Sequence, residues 1–269
     1  MTYLLYGIVK DPASSPILDS RLRGNDDFDI YCPRNLTGVK GKPVIFVKGH
    51  GLCAAVSDLD VEEGAPPVAE LLNYSQVVEA LYRRQAVIPM RYGCFLNGIQ
   101  AIRDVLKARQ RQYETMLAEL AGHVEMGIRI LLPEKERNLR QGETMNGQGA
   151  LSTTVITAQP KEEPAINGRA YLVLRKVHYQ MQEETSHGRQ VLIDRYIQAF
   201  SGLYARHRIE TDMKNGDVIL SLYFLTPKSD VNRFRETFGN MMEKGNDEAI
   251  LSGPWPPYNF VTTELVAAK

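Results

Sequence analysis

Cys94, beside Gly93, is the first residue to test for chemistry. A thiol attacks as its thiolate, which needs a neighbouring base or cation to lower its pKa. The nearest histidine in sequence is His123 and no charge pattern explains such a shift, so Cys94 reads as a buried or incidental thiol. Gly49-His50-Gly51 imitates part of a glycine-rich phosphate loop. The next residues, Leu52 to Val56, are strand-like rather than a helix N-terminus able to bind an anion, and a turn is the expectation. The histidines His50, His123, His178, His187 and His207 are dispersed. Only His178 and His187 share a predicted helix, and they are too far apart to meet on one face. The chain contains no P-loop, no GxSxG nucleophile elbow and no HExxH zinc helix. No catalytic residue and no metal ligand is therefore assigned.

The residues with most to offer a partner are aromatic. Gly253-Pro254-Trp255-Pro256-Pro257-Tyr258-Asn259-Phe260 places the only tryptophan and two further aromatics in a proline-stiffened stretch of low conformational entropy. Two readings stand. It is a tail folded back over a sheet or a domain junction, or it is a contact surface, since rigid Trp and Tyr side chains anchor interfaces.

Composition sets the frame for these residues. The 269 residues carry 32 Lys+Arg against 32 Asp+Glu, 43% hydrophobic and 24% charged residues, with a mean hydropathy of -0.27. These are ordinary globular values, compatible with one or two domains. Zero net charge argues against a nucleic-acid partner, which would require a basic surplus. Three cysteines, Cys32, Cys53 and Cys94, form neither a CxxC pair nor an even disulfide framework, which fits a reducing cytoplasm. The N-terminus lacks the basic region of a signal peptide. The most apolar run elsewhere, Val218 to Leu225, is far short of the roughly 20 residues of a membrane helix, so no membrane span is expected.

Periodicity gives the elements that must position these residues. Tyr3 to Val9 reads as a strand buried on both faces. Residues 11–42, rich in Pro and Gly, read as a loop, within which SPILDSRLRGND resembles the translation of a dispersed bacterial palindromic repeat and suggests an insertion. Pro43 to Val47 and Leu52 to Val56 form a hairpin, with Gly49 and Gly51 supplying positive φ. A helix over Tyr74 to Arg84, capped near Ser75, precedes a strand at Ala86 to Met90. Asn97 to Gly122 reads as one helix, with Asn97 as N-cap and Ile99, Ile102, Leu106, Tyr113, Leu117 and Leu120 on its stripe.

A domain boundary is placed there, giving an N-terminal α/β domain at 1–122 and a second domain at 123–269. The second domain opens with a strand at His123 to Leu132. Residues 134–166 read as a mobile linker, followed from Asn167 to Phe200 by a helix bent at Gly188. Strands at Ala205 to Met213 and Val218 to Thr226 flank the Asn215-Gly216 hairpin turn. A helix from Ser229, its cap, to Gly245 and a short strand at Ala249 to Leu251 complete a ferredoxin-like βαββαβ order. The fold class is α+β, with two α/β domains. Such a domain also suits a small-molecule-binding regulatory module, a rival reading together with an enzyme that uses Cys94 or His50.

With these residues in hand, the chain resembles the gas vesicle protein F/L family. The resemblance rests on Tyr3-Leu4-Leu5-Tyr6-Gly7-Ile8-Val9, on Gly51-Leu52-Cys53-Ala54-Ala55-Val56-Ser57, on Val87-Ile88-Pro89-Met90-Arg91-Tyr92-Gly93, and most specifically on the closing GPWPPYNF. It implies a non-catalytic accessory or minor component of gas vesicles, acting in nucleation and assembly. It also implies contacts with the small hydrophobic shell protein and other accessory proteins, a cytoplasmic or vesicle-bound location, and no cofactor. Arg91, Tyr92, Trp255, Tyr258 and Phe260 are the candidate partner contacts.

Overall fold

The computed structural model describes residues 1–12, 36–60, 64–132, 187–214, 217–245 and 247–261. Two antiparallel sheets organise them. The first contains β1 (Thr2–Lys10), β2 (Ile45–Gly49), β3 (Leu52–Asp58), β4 (Val87–Pro89) and β5 (Phe95–Asn97). Its order is β2-β3-β1-β4, and β5 continues the β4 edge by pairing with the other end of β1.

β1 shows why the chain is apolar here. Leu4, Tyr6 and Val9 point into one apolar cluster, whereas Tyr3, Leu5 and Ile8 point into the cluster on the opposite face. The alternation slips by one residue because the pairing with β3 shifts register between Leu5 and Gly7. One face of this sheet is covered by α1 (Val68–Tyr82), the other by α2 (Gly98–Ala108) and α3 (Gln110–Leu120). The loop expected over 11–42 ends in described structure. Val39 is fully buried, its N–H donates to the Tyr6 hydroxyl at 2.9 Å, and Tyr6 donates to Ser57 at 3.1 Å. Gly38 is required beside it, since a Cβ there would lie 2.2 Å from the Tyr6 oxygen. The stretch SPILDSRLRGND, expected to be an insertion, falls within residues 13–35, which lie outside the described residues.

Several local expectations are corrected. The β2–β3 turn is made by His50 (φ 54) and Gly51 (φ 75), both left-handed as a two-residue type I′ turn demands, while Gly49 pairs with Leu52 as the last residue of β2. α1 begins at Val68, directly after Pro67, so Ser75 is no cap and its hydroxyl bonds back to the Leu72 carbonyl at 2.8 Å. The predicted 97–122 helix is two helices interrupted at Arg109 (φ -119, ψ 17). The buried stripe Ile102, Leu106, Tyr113, Leu117 and Leu120 nevertheless continues across the break. Ile99 lies off that stripe, in solvent. Asn97 occupies the N-cap position, but its side-chain oxygen accepts from the Thr2 hydroxyl instead of a helix amide.

The chain passes to the second sheet at Gly122, whose φ of 74 turns it out of α3. This sheet contains β6 (His123–Leu131), β7 (Arg206–Lys214), β8 (Asp217–Pro227) and β9 (Glu248–Trp255), in the order β7-β8-β6-β9 with every pair antiparallel. A helix at 187–199, here α4, precedes β7, and α5 (Val231–Lys244) joins β8 to β9. Order and directions are compatible with the ferredoxin-like arrangement. The linker at 134–166 and the helix expected from Asn167 to residue 186 lie outside the described residues, and Gly188 falls in the first turn of α4 as described. α5 starts at Val231 after a 3-10 turn at Lys228–Asp230, so Asp230, not Ser229, stands at its N-cap position. β9 runs on to Trp255, well past the strand expected at Ala249 to Leu251, which makes the start of the aromatic segment part of an edge strand.

Candidate partner-contact surface

Three tyrosines define the seam on the α1 side of the first sheet. Tyr6 and Tyr74 stack at 5.0 Å between ring centroids, and Tyr92 meets Tyr74 edge-on at 5.4 Å. The Tyr74 hydroxyl is shared between the Leu5 and Met90 carbonyls at 2.9 and 2.8 Å. Tyr92 donates to Glu70 of α1 at 2.9 Å. Burial pushes the Tyr74 hydroxyl well above its ordinary range, with the neighbouring Tyr258, Cys94, Tyr6 and Tyr92 adding to the effect. Tyr258 comes from the aromatic segment, so that segment reaches the seam.

Beyond β9, the chain turns through a 3-10 element at Tyr258–Phe260 that is held by a buried carboxylate. Glu125 of β6 accepts from the Asn259 backbone N–H at 2.8 Å and from its side-chain amide at 2.7 Å. Burial raises the Glu125 pKa, the two Asn259 bonds oppose that, and Glu210 on β7 raises it further while Arg91 lowers it. Arg208 of β7 adds a bond to the Asn259 carbonyl at 3.2 Å.

The sequence-derived contact residues therefore separate. Tyr92 and Tyr258 are half-buried and meet around Tyr74, and Arg91 is exposed with its charge felt by Glu125. Trp255 is 52% exposed, whereas Phe260 is only 6% exposed, packed in the second apolar cluster with Leu225 and α3 and facing the Arg206 guanidinium at 5.9 Å. Phe260 is thus an internal residue of the junction, and Trp255 is the outward one. Sequence reading missed Tyr74, Tyr82 and Glu125 as parts of this surface, and it placed Asn259 in the aromatic segment without a role. Only the helical spacing of Tyr74 and Tyr82 on the buried side of α1 signals any of them.

Trp255 stands on the lip of a cleft of about 540 Å³ between α1, the start of α5 and the end of β9. Tyr82 forms its floor. Its hydroxyl donates to the His123 carbonyl, burial pushes its pKa up to about 12, and the Lys228 ammonium lies 4.6 Å from its ring centroid. A second hollow, of about 750 Å³, lies beside His50 and Glu114. Cys94 does not line it, and burial raises that thiol's pKa, the wrong direction for a nucleophile. Among the described residues no group of three His, Cys, Asp or Glu side chains is placed to hold a metal ion, and no helix is long and apolar enough to cross a membrane.

The fold defines a class, an α+β protein of two antiparallel sheets joined through an aromatic seam. The chain belongs to the gas vesicle synthesis protein GvpL/GvpF family, which it matches over residues 2–262. It is similar to gas vesicle protein F2 of Halobacterium salinarum, 22% identical over 239 residues that cover 87% of this chain and 88% of that one. It is also similar to gas vesicle protein F of Streptomyces sp. (strain CB03234), 23% identical over 266 residues, 97% of this chain and all of the relative. Among solved structures, GvpF of Anabaena sp. PCC7120 superposes with a TM-score of 0.67 at 17% identity, covering 97% of this chain and 96% of that one. GvpF of Microcystis aeruginosa superposes with a TM-score of 0.66 at 16% identity, covering 97% and 99%. At these identities the structural likeness is one of fold.

Proposed function

We propose that the protein takes part in gas vesicle nucleation and assembly as an accessory or minor structural component, binding the small hydrophobic shell protein and other accessory proteins. The observation that carries this reading is the family match across residues 2–262, in a family described by gas vesicle synthesis. The physical need supports it. A shell subunit with an apolar face aggregates before assembly unless another protein covers that face. The half-exposed Trp255, together with Arg91, Tyr92 and Tyr258, supplies the contact surface, and Phe260 acts from inside by holding the segment in place. The protein works in the cytoplasm and at the vesicle, without catalysis. Co-expression of a tagged form with the shell protein tests this. The expected result is soluble shell protein that co-elutes with the tagged chain and not with the tag alone; equal aggregation in both would sink the direct-binding reading.

A further inference from the structure

α1 buries one side and leaves apolar side chains near its start in water. Tyr74, Val77, Val78 and Leu81 point into the core. Val68, Leu72, Ser75 and Glu79, spaced by three and four residues, share another face, on which Val68 is 72% and Leu72 56% exposed. Leu71, at the edge of this stripe, is also exposed. An apolar stripe on this face has no role in the fold of the described residues.

The stripe runs into the cleft, whose α1 wall is Ser75, Glu79, Tyr82 and Arg83. From Val68 to Glu79 this face is about 16 Å long, roughly three helical turns, apolar at Val68 and Leu72 and polar at Ser75 and Glu79 where it enters the cleft. Its ridges are side chains at helical spacing, and they complement the groove side of another helix better than an extended strand. Three charged side chains line the cleft. Glu79 and Arg83 neutralise each other at 2.6 Å, whereas Lys228 rests on the Tyr82 ring with no carboxylate in salt-bridge reach among the described residues. The unanswered charge in an apolar, aromatic-walled cleft is therefore positive.

We propose that this stripe and cleft form one docking groove for an amphipathic helix of a partner protein, with a carboxylate of that helix paired to Lys228. The proposal rests on the assembly reading above and specifies which surface and which partner chemistry serve it. Trp255 packs over the seated helix, and the Glu79–Arg83 pair closes the far rim.

Trp255 is the only tryptophan in the chain, so its emission reports the groove directly. The probes are two synthetic peptides of about 14 residues, four helical turns, with leucines at every third and fourth position and no aromatics. One carries glutamates at its last turn and the other lysines. The expected result is a saturable change in Trp255 emission with the acidic peptide only. Lys228→Glu should weaken that peptide at least tenfold and admit the basic one, and Leu72→Asp should weaken binding at least tenfold. Both positions are exposed, and unchanged thermal unfolding of each variant confirms the fold. Equal binding of both peptides, or binding indifferent to Leu72→Asp, overturns the proposal, as does a self-associating wild type that Leu72→Asp makes monomeric, since the occupant is then a second copy. If the shell protein co-elutes equally with wild type and both variants, the groove fails and the assembly role stands. If the peptides show the charge reversal but the shell protein never co-elutes, the groove stands and the shell protein is not its occupant.

Discussion

The two sheets bury aromatic rings in different ways. On the α1 face of the first sheet the buried rings are tyrosines, with Phe46 and Phe95 only partly buried beside them. Tyr6, Tyr74 and Tyr82 each commit a hydroxyl, to Ser57, to the Leu5 and Met90 carbonyls, and to the His123 carbonyl. Under the second sheet the central rings are phenylalanines. Phe200 lies 4.2 Å from Phe234 and 5.5 Å from Phe224, and all three are fully buried. The first arrangement fixes where loops and strand ends sit, because each hydroxyl has a named backbone or side-chain partner. The second contributes packing without direction. The tyrosine side is also the side that reaches across to the second sheet, so the directional bonds are concentrated where two layers must register.

The comparison can be broken by exchanging what each ring contributes. Phe234→Ala removes a fully buried ring from the centre of the phenylalanine stack and leaves a cavity. The expected destabilisation is about 3–5 kcal/mol, read from urea unfolding. Tyr74→Phe keeps the ring and removes only the donor from two buried carbonyls, with an expected cost of about 1–3 kcal/mol. If Tyr74→Phe cost as much as Phe234→Ala, the hydroxyl network rather than ring packing would dominate the first core. If it cost nothing, the distinction between the two cores would collapse.

How much of this is legible in sequence depends on the range of the interaction. The seven-residue run Tyr3 to Val9 announces a strand buried on both faces, because composition alone requires it. Asn215-Gly216 announces a hairpin, and the β7–β8 register places Lys214 opposite Asp217 on either side of it. The start of α1 is hidden. Val68, Leu71 and Leu72 face water, so no buried period marks the first turn, and Pro66-Pro67 read as loop when Pro67 in fact leads the helix in. The reach of β9 to Trp255 is hidden for another reason. Pro254 argues against a strand, and it is tolerated because β9 is an edge strand whose pairing with β6 shifts register there. Of the candidate contact set, residue type alone finds the aromatics but cannot sort exposed Trp255 from buried Phe260. That sorting depends on Glu125, 134 positions from Asn259 in sequence.

Glu125 gives a smaller effect with a definite sign. Burial raises its folded-state pKa above the ordinary carboxyl value. A raised pKa means the folded state holds the proton more tightly than the unfolded chain. The stability tied to this group is then fully present below the unfolded pKa and is lost as pH rises through the folded one. Glu125→Gln removes that titration. Unfolding midpoints of the two proteins, measured from about pH 4 to pH 7, should show wild type losing ground to Glu125→Gln as pH rises. The opposite slope would mean that the Asn259 bonds, not burial, set the carboxylate's energy.

The smallest stability effect is expected at Trp255. Its ring is half-exposed on the cleft lip, and Trp255→Ala should change the unfolding free energy by less than about 1 kcal/mol, within the range of surface substitutions. The same substitution removes the largest apolar side chain available to a partner at the groove. Stability and capture of the shell protein should therefore come apart, with the unfolding curve nearly unchanged and co-elution reduced. A Trp255→Ala chain that unfolds several kcal/mol more easily would make Trp255 a structural ring like Phe234. The two cores would then meet in the aromatic segment, instead of the segment presenting one face to each and one to the outside.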